Sequence, residues 1–365
     1  MKSLADKKVA LVHDWLYGGG GERIVLELHK LFPDAPIYSS YCTDEWREKL
    51  DNRVVTGYLQ HWPFSKLRKF LPLFRQRWFS RLDLSDYDIV ISTTGNGEAK
   101  FVKVPGGKHI SYCFTPVHFY WRHYDAYLKE PGFRPKWLAR LGLKLLLKPL
   151  RQRDYTAAQS VDHFVGISSH IQSDIKTYYD RESTLIHPPV NIEAFSHAKT
   201  TRRNGFITVG RLVPNKRVDI IVRACTELSL PLKVVGKGPN LSQLQKISGP
   251  TVEFVTDADD QTVANYLANA EAFLFASFED FGIAPVEAMA AGTPVIAYHA
   301  GGALDYVLPG KTGEFFDEQT VDSLGAVLKS FNGDNYHAGT IRNQANSFSV
   351  DKFQKRVTEL LESLY

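Results

Sequence analysis

One stretch constrains the fold more than any other: residues 273–302, FLFASFEDFGIAPVEAMAAGTPVIAYHAGG. An apolar run that ends at Ala276 is followed by a polar loop, then by a short segment with residues that favour the two ends of a helix, and then by a second apolar run over 293–298. Pro285 suits the first turn of a helix, and Gly292 suits its end. Strand, helix and strand in this order form a parallel βαβ unit. The sequence therefore predicts an α/β fold built on parallel sheets.

Two glutamates belong to this stretch. Glu279 lies in the polar loop, and Glu287 lies within the helix among small or apolar neighbours that predict burial. A carboxylate left there without hydrogen-bond donors would cost several kcal/mol. The hydroxyl groups of a ribose or a sugar supply such donors, and the helix N-terminus between the two glutamates suits an anion such as a diphosphate. The stretch therefore predicts a nucleotide-sugar pocket.

Glu279 and Glu287, set in EDFGIAPVEAMAAGTPVIA, resemble the paired-glutamate signature of the retaining glycosyltransferases of family 4. The resemblance covers nearly the whole chain. It implies the GT-B fold, with two Rossmann-like parallel-sheet domains that face a cleft and a C-terminal helix that crosses back. The predicted divisions are an acceptor-binding domain, a linker, a nucleotide-sugar-binding domain and the returning helix, over 1–190, 191–204, 205–347 and 348–365.

The resemblance also implies roles for individual residues. Glu279 would contact the transferred hexose, and Glu287 would hold the ribose. Arg211 and Lys216 lie five residues apart in the segment that follows an apolar strand. Arg211 would bind the diphosphate by bidentate hydrogen bonds, and Lys216 would bind it as a point charge. The remaining donor-binding candidates in this half are glycines and loop residues: Gly238, Asp257, Gly282, Ile283, Gly301 and Gly302.

The first strand, residues 8–13, runs into a glycine-rich loop over 18–21 and then a helix. This order brings backbone N–H groups close to a phosphate, and the resemblance implies that Gly19 and Gly20 face the donor. Arg23 occupies the position where a dinucleotide fingerprint begun at Gly18 needs its third glycine, which counts against a dehydrogenase. The alternative is a flexible tight turn.

Charge is divided unevenly along the chain. Residues 1–190 carry 28 Lys and Arg against 20 Asp and Glu, whereas residues 191–365 carry 16 against 20. Two stretches, 60–81 and 134–153, hold six and seven basic residues with no acid, interleaved with aromatic residues and leucines. Such stretches suit an anionic membrane surface. Single-stranded nucleic acid and a solvated basic helix face are the alternatives.

A nucleic-acid-binding module does not explain the paired glutamates or the glycine loops. The predicted partners are therefore a nucleotide-sugar donor, a lipid-linked or oligosaccharide acceptor and an anionic membrane surface, with no nucleic acid. The N-terminus leads straight into a strand without the pattern of a signal peptide, and three widely spaced cysteines suggest packing residues. We expect a cytoplasmic protein that associates peripherally with the inner face of the membrane.

No metal or other cofactor is predicted, since Arg211, Lys216 and helix N-termini would meet the charge of the leaving diphosphate. Asp-x-Asp, a metal signature of other glycosyltransferases, occurs at 86–88 and 257–259. So short a pattern is expected by chance. The first copy lies at the N-terminal end of a strand, whereas ligands of such sheets bind at the C-terminal ends. The second copy lies in the loop of Asp257, where a bound metal ion remains the alternative to a site without metal.

The predicted reaction is transfer of a hexose, with GDP-mannose as the favoured donor and a UDP-sugar as the alternative. A nucleotide-sugar epimerase or hydrolase of the same fold is a further alternative. One departure from the family concerns Phe114, which stands before Thr115-Pro116 where many members carry a histidine. His118 is the nearest histidine and is the candidate to replace it, although its aromatic neighbours equally permit a packed structural role.

Overall fold

Short apolar strands alternate with helices along the whole chain, and this pattern produces two parallel sheets. The structure, a computed structural model, describes residues 4–67, 71–118, 120–122, 124–129, 135–198 and 203–364. Two units can be distinguished. Unit 1 comprises Met1–His187 with Gln354–Tyr365, and unit 2 comprises Pro188–Phe353.

Unit 1 holds a sheet of seven strands within the described residues, and every neighbouring pair is parallel. The spatial order is β3-β2-β1-β4-β5-β6-β7, with Leu11 of the first strand between Ile37 and Ile91. The strands are β1 (Val9–His13), β2 (Ile37–Ser39), β3 (Val54–Val55), β4 (Ile89–Thr94), β5 (Lys108–Cys113), β6 (His163–Gly166) and β7 (Ser183–Leu185).

Unit 2 holds a sheet of six strands within its described part, again parallel throughout. The strands are β8 (Phe206–Val209), β9 (Leu232–Val235), β10 (Val252–Val255), β11 (Ala272–Phe275), β12 (Val295–Tyr298) and β13 (Gly313–Phe316). Their order, β10-β9-β8-β11-β12-β13, is that of a doubly wound Rossmann domain, and the order reverses between β8 and β11.

Helices cover both sheets. Those of unit 1 are α1 (Gly21–Leu31), α2 (Asp44–Lys49), α3 (Phe64–Leu67), α4 (Pro72–Phe79), α5 (Tyr124–Lys129), α6 (Lys136–Gln159) and α7 (Ser169–Tyr179). Those of unit 2 are α8 (Glu193–Ser196), α9 (Val218–Glu227), α10 (Leu241–Ile247), α11 (Asp260–Ala268), α12 (Ile283–Ala290), α13 (Val321–Ser330) and α14 (Ala338–Asn346). The 3-10 turns are Leu4–Asp6, Tyr58–Gln60, Ala99–Phe101, Pro214–Lys216, Gly301–Asp305 and Gly333–Asn335.

The last helix, α15 (Val350–Ser363), begins in unit 2 and ends in unit 1. Within unit 1, Gln354 Nε2 donates to Glu27 Oε2 at 3.3 Å, so α15 contacts α1. The predicted linker, 191–204, lies inside unit 2 and includes α8, whereas the units divide between His187 and Pro188. Its residues 199–202 lie outside the described residues.

The two basic stretches differ in structure. Residues 60–81 form the short helices α3 and α4 around Pro72, and positions 68–70 lie outside the described residues. Residues 136–159 form one continuous helix, α6, which passes through Pro149. Among the described residues, no helix combines the length and the apolar character needed to cross a bilayer.

Candidate functional site

Most of the predicted donor-site residues of unit 2 lie in loops that follow strands, whereas Ile283 and Glu287 lie in α12. Arg211 follows β8, Gly238 follows β9, Asp257 follows β10, Glu279 follows β11, and Gly301 follows β12. Because all six strands are parallel, these loops meet at the carboxyl edge of one sheet. Ligands of open α/β sheets bind at this edge, at the point where the strand order reverses. Here that point lies between β8 and β11.

Lys216 and Glu279 are brought together across this reversal. Lys216 Nζ donates to Glu279 Oε1, and the two residues also form an ion pair. The hydroxyl of Ser277 donates to the same Oε1 at 2.9 Å. Both ionic side chains keep 23% of their surface exposed. An ammonium and a carboxylate are therefore held next to each other but remain accessible to a ligand.

Arg211 supplies a second cation at this edge. Its side chain is exposed, and among the described residues it makes no side-chain hydrogen bond or ion pair. The loop that carries it is rigid, because Leu212 N donates to Lys237 O at 2.8 Å and Asn240 N donates to Leu212 O at 3.0 Å. A fixed backbone with a free guanidinium suits the capture of an anion.

Gly238 belongs to the adjoining loop and is required there for packing. A Cβ at this position would lie 2.2 Å from Leu212 O, so only glycine permits the contact between the two loops. Asp257, in the next loop, is exposed and pairs with Lys237, which lowers the pKa of its carboxyl. Its neighbour Asp259 caps α11 by accepting from Thr262 N at 2.7 Å.

Helix α12 presents one open side. Ile283, Ala284 and Glu287 are half-buried, whereas the other residues of the helix are buried. The sequence predicted burial of Ile283 and of the surroundings of Glu287, and this is only partly right. These three residues share one helix face, so the carboxylate of Glu287 lies at the margin of the core and not inside it.

The start of α12 is defined by Gly282, which adopts φ +90°. A Cβ there would lie 2.9 Å from the hydroxyl of Tyr306. That hydroxyl is buried and has no hydrogen-bond partner among the described residues. Burial, together with the charge of Glu279, raises the pKa of Tyr306. Sequence reasoning missed this residue, since a tyrosine in a downstream turn carries no signal of proximity to α12.

The glycine pair Gly301-Gly302 packs against the loop of Glu279. Both glycines are predicted donor-binding residues, and Gly302 N donates to Glu279 O at 2.9 Å. A Cβ on Gly301 would lie 2.3 Å from Glu279 O, and one on Gly302 would lie 2.3 Å from Phe281 Cα. In this structure the pair therefore fixes the backbone of the Glu279 loop, and the amide of Gly302 is already used.

In unit 1 the loop that follows β4 is held by Asp14, which sequence reasoning passed over. Its buried carboxylate accepts hydrogen bonds of 2.7–3.2 Å from four backbone N–H groups of the loop after β4, those of Gly95, Asn96, Gly97 and Ala99. Gly19 and Gly20 are exposed and lead directly into α1. Glu22 accepts from Gly18 N at 3.0 Å, so one acid already occupies this helix start.

Phe114 lies at the same edge of unit 1, against the glycine loop. A Cβ at Gly21 would lie 2.5 Å from the ring of Phe114, and the ring centre of His13 is 6.1 Å away. His13 is buried and bonds to Thr93 Oγ1 at 2.7 Å, and its burial lowers its pKa. His118 is half-buried, with Nδ1 3.4 Å from Thr115 Oγ1. The structure thus brings His13, which sequence reasoning did not single out, next to Phe114.

Two buried ion pairs support this edge, and neither was predicted. Arg75 Nη2 donates to Glu98 Oε1 at 2.6 Å, and burial raises the pKa of Glu98 to about 7 although Arg75 opposes the shift. Lys100 donates to Asp154, which also accepts from Trp121 Nε1 at 2.8 Å. Arg75 belongs to a basic stretch that the sequence assigned to the surface, and it is only 3% exposed.

The first Asp-x-Asp lies where the sequence predicted, at the start of β4, where Asp88 accepts from Lys8 N at 2.9 Å. Both aspartates of the second copy have the structural contacts given above. Among the described residues, no group of three or more His, Cys, Asp or Glu is arranged to hold a metal ion.

Two family models match the chain. Residues 18–194 match the description Glycosyltransferase Family 4, and residues 189–348 match Glycosyl transferases group 1. The two matches together run from residue 18 to residue 348.

Among curated relatives, a GDP-mannose-dependent alpha-(1-6)-phosphatidylinositol monomannoside mannosyltransferase of Mycolicibacterium smegmatis is 27% identical over 221 residues. The match covers 52% of this chain and 58% of the relative. A GDP-mannose-dependent alpha-mannosyltransferase of the same organism is 36% identical over 121 residues, 33% of this chain and 31% of the relative. The chain thus spans roughly half the length, or less, of the curated relatives that it matches.

Among solved structures, the crystal structure of Anabaena Alr3699/HepE in complex with UDP aligns with a TM-score of 0.71 at 16% identity. The alignment covers 98% of this chain and 100% of that one. At this identity the likeness concerns the fold alone. It agrees with the two parallel sheets described above, and the predicted fold class, two Rossmann-like α/β domains of GT-B type, is confirmed.

Proposed function

The chain belongs to the family 4 glycosyltransferases, and we propose that it transfers mannose from GDP-mannose, with retention of configuration, to a lipid-linked or glycan acceptor. The observation that carries this proposal is the meeting of Arg211, Lys216 and Glu279 at the carboxyl edge of the unit 2 sheet. Two cations and a carboxylate at the switch point match the needs of a nucleotide diphosphate sugar. The diphosphate requires positive charge, and the sugar requires hydrogen-bond acceptors.

The proposed chemistry concentrates on the leaving group. As the bond between the sugar and the diphosphate breaks, negative charge grows on the diphosphate oxygens, and Lys216 and Arg211 stabilise it. The acceptor hydroxyl oxygen forms the new bond to the same sugar carbon, and its proton passes to the departing diphosphate. Lys216 then exchanges part of its contact with Glu279 for the phosphate. The freed oxygen of Glu279 accepts hydrogen bonds from the sugar hydroxyls, and Glu287 accepts from the ribose. With two cations in place, we expect transfer to proceed without a metal cofactor.

The choice of mannose is supported by relatives named as GDP-mannose-dependent mannosyltransferases. A UDP-sugar is the second candidate, because the aligned HepE structure is a complex with UDP. The family resemblance implies that the nucleotide base lies at the loop of Asp257. This loop carries a Lys237–Asp257 pair and does not itself favour one base.

We further propose that the protein works at the inner face of the cytoplasmic membrane. The first half of α6 exposes Trp137, Leu138, Leu141, Leu145 and Leu146, with 66%, 46%, 46%, 67% and 51% of their surfaces accessible. Basic residues of the same helix lie between them. Apolar residues that enter the lipid boundary beside cations that meet anionic headgroups are typical of an interfacial helix.

A donor screen by thermal shift tests the proposal. GDP-mannose should raise the melting temperature of the full chain, whereas UDP-glucose and UDP-N-acetylglucosamine at equal concentration should not. Lys216→Ala should abolish the shift, and Lys246→Ala, an exposed lysine of α10, should leave it unchanged. A shift with a UDP-sugar alone would replace GDP-mannose by the second candidate. Conversion of GDP-mannose in the absence of any acceptor would indicate an epimerase or a hydrolase.

A further inference from the structure

A cavity of about 440 Å³ lies beside helix α6 in unit 1. Its volume falls within the roughly 300–1,000 Å³ that small-molecule sites occupy. Trp121 and Tyr155 contribute aromatic surface, and Lys144, Lys148 and Arg151 contribute positive charge. Among the described residues that line the cavity, none is acidic. The cavity therefore favours an anionic ligand.

The cationic residues share one face of the helix. Lys144, Lys148 and Arg151 follow one another at intervals of four and three residues, which places them in a single stripe. The same spacing extends backwards to Leu141 and Trp137, both exposed. With a rise of 1.5 Å per residue, Leu141 lies about 10 Å from Lys148 along the helix axis. The basic cavity thus continues directly into an exposed apolar strip.

The lysines are not committed to other groups. Lys144 and Lys148 are exposed, and neither forms an ion pair with any residue that the structure describes. Arg151 is held in position, because its Nε donates to Tyr120 O and its guanidinium lies 5.2 Å from the ring centre of Trp121. The indole of Trp121 is itself fixed by Asp154. One oriented guanidinium and two exposed ammonium groups suit a phosphate with several charged oxygens.

We propose that this cavity binds the phosphate or diphosphate head of an amphiphile, whose hydrocarbon chain lies along Leu141 and Trp137. The cations account for the head, and the apolar strip accounts for the chain. A free phosphate would leave the strip without a role. Single-stranded nucleic acid would need stacking surfaces for successive bases, whereas Leu141 interrupts the aromatic surface between Trp137 and the cavity. The assignment rests on the proposed transferase function, in which this amphiphile is the acceptor.

Titration calorimetry with three soluble probes tests the assignment, on the full chain carrying Lys216→Ala so that the proposed donor site does not bind the diphosphate of a probe. Farnesyl diphosphate has both head and chain, inorganic diphosphate has only the head, and farnesol has only the chain. We expect farnesyl diphosphate to bind, and the other two probes to bind at least about tenfold more weakly. The double variant Lys144→Gln/Lys148→Gln should bind farnesyl diphosphate about ten- to thirtyfold more weakly.

A matched control changes the net charge equally outside the cavity. Lys103→Gln/Lys246→Gln alters two exposed lysines and should bind farnesyl diphosphate as the parent does. Leu141→Gln should weaken binding of farnesyl diphosphate but not of inorganic diphosphate. Equal losses in both double variants, or equal affinity for diphosphate and farnesyl diphosphate, would overturn the assignment. The thermal shift with GDP-mannose is measured on the same variants with Lys216 intact, which distinguishes failure of the donor proposal from failure of this one.

Discussion

Lys216 and Glu279 form an ion pair between the loops that follow two adjacent strands, β8 and β11, although 63 positions separate them in the sequence. The pair therefore spans the point where the strand order of unit 2 reverses. A ligand that binds here must compete with the carboxylate of Glu279 for the ammonium of Lys216. It must also provide hydrogen-bond donors for the carboxylate that it releases. A nucleotide sugar does both, because its diphosphate takes the cation and its hydroxyls satisfy the acid.

The first prediction concerns the two cations. Arg211→Ala and Lys216→Ala should each lower mannose transfer by about two to three orders of magnitude, since the charge that grows on the leaving diphosphate loses a fixed partner. Transfer is measured as radiolabelled mannose entering a lipid-soluble fraction. Melting temperatures without ligand should stay near that of the parent, because both side chains are accessible. Near-parental transfer in both variants would contradict the assignment of the donor site.

The second prediction concerns Gly302. In Gly302→Ala the added methyl group meets the backbone of Phe281, so the Glu279 loop must shift, at a cost of about 1–3 kcal/mol in the free energy of unfolding. Donor affinity should fall as well. Gly339→Ala is the matched control, because a Cβ there meets nothing within 4 Å inside α14, and it should be neutral or slightly stabilising. Urea unfolding together with the GDP-mannose shift measures both effects. Parental donor affinity in Gly302→Ala would show that the loop position does not matter.

The sequence predicted those features that depend on the local pattern of apolar and polar residues. Apolar runs predicted the strands, and because the strands are parallel their order in the chain placed Arg211, Glu279 and Gly301 at one edge. It was uninformative about pairings between distant residues. No residue near Asp14 in the sequence indicates that its carboxylate accepts hydrogen bonds from four backbone N–H groups of a loop more than 80 positions away. Likewise, no residue near Arg75 indicates that it forms an ion pair with Glu98. Such contacts arise only when the strands assemble.

The third prediction concerns pH. Burial lowers the pKa of His109 from 6.5 to about 4. Between these two pH values the imidazole is therefore neutral in the folded protein and protonated in the unfolded chain. The unfolded state then binds more protons between these values, and stability falls as the pH drops from about 6.5 to 4. The loss amounts to roughly 3 kcal/mol at most. His109→Gln should reduce this dependence, measured by urea unfolding at pH 7 and pH 4.5. An unchanged difference between the two pH values would refute the prediction.

The fourth prediction concerns the exposed apolar residues of α6. Trp137→Ser/Leu145→Ser should weaken sedimentation with anionic vesicles, because these side chains would no longer enter the lipid boundary. Raising the salt concentration should weaken binding further, since cations of the same helix contribute. Leu308→Ser, an exposed leucine of unit 2, serves as the control and should bind as the parent does. Failure of the parent itself to bind anionic vesicles at low salt would leave α6 without a membrane role.

The last prediction concerns His118 and Phe114. We expect His118 to compensate for the histidine that other family members carry at position 114, by positioning the sugar and adding modest electrostatic help. His118→Ala should then raise the barrier by about 1.5–3 kcal/mol, roughly ten- to a hundred-and-fifty-fold in rate, with little change in donor affinity. A loss that appears in kcat and not in the GDP-mannose shift distinguishes this role from a structural one.

Phe114→His provides the complementary test. The imidazole is smaller than the phenyl ring, so it fits beside Gly21 without a clash and lies near the buried His13. If His118 already acts in place of the missing histidine, Phe114→His should change transfer little in the parent and should partly restore it in His118→Ala. If instead His118→Ala transfers mannose at the parental rate while Phe114→His raises that rate, then His118 is structural. The protein would in that case work without the histidine at all, with the leaving diphosphate and its two cations carrying the reaction.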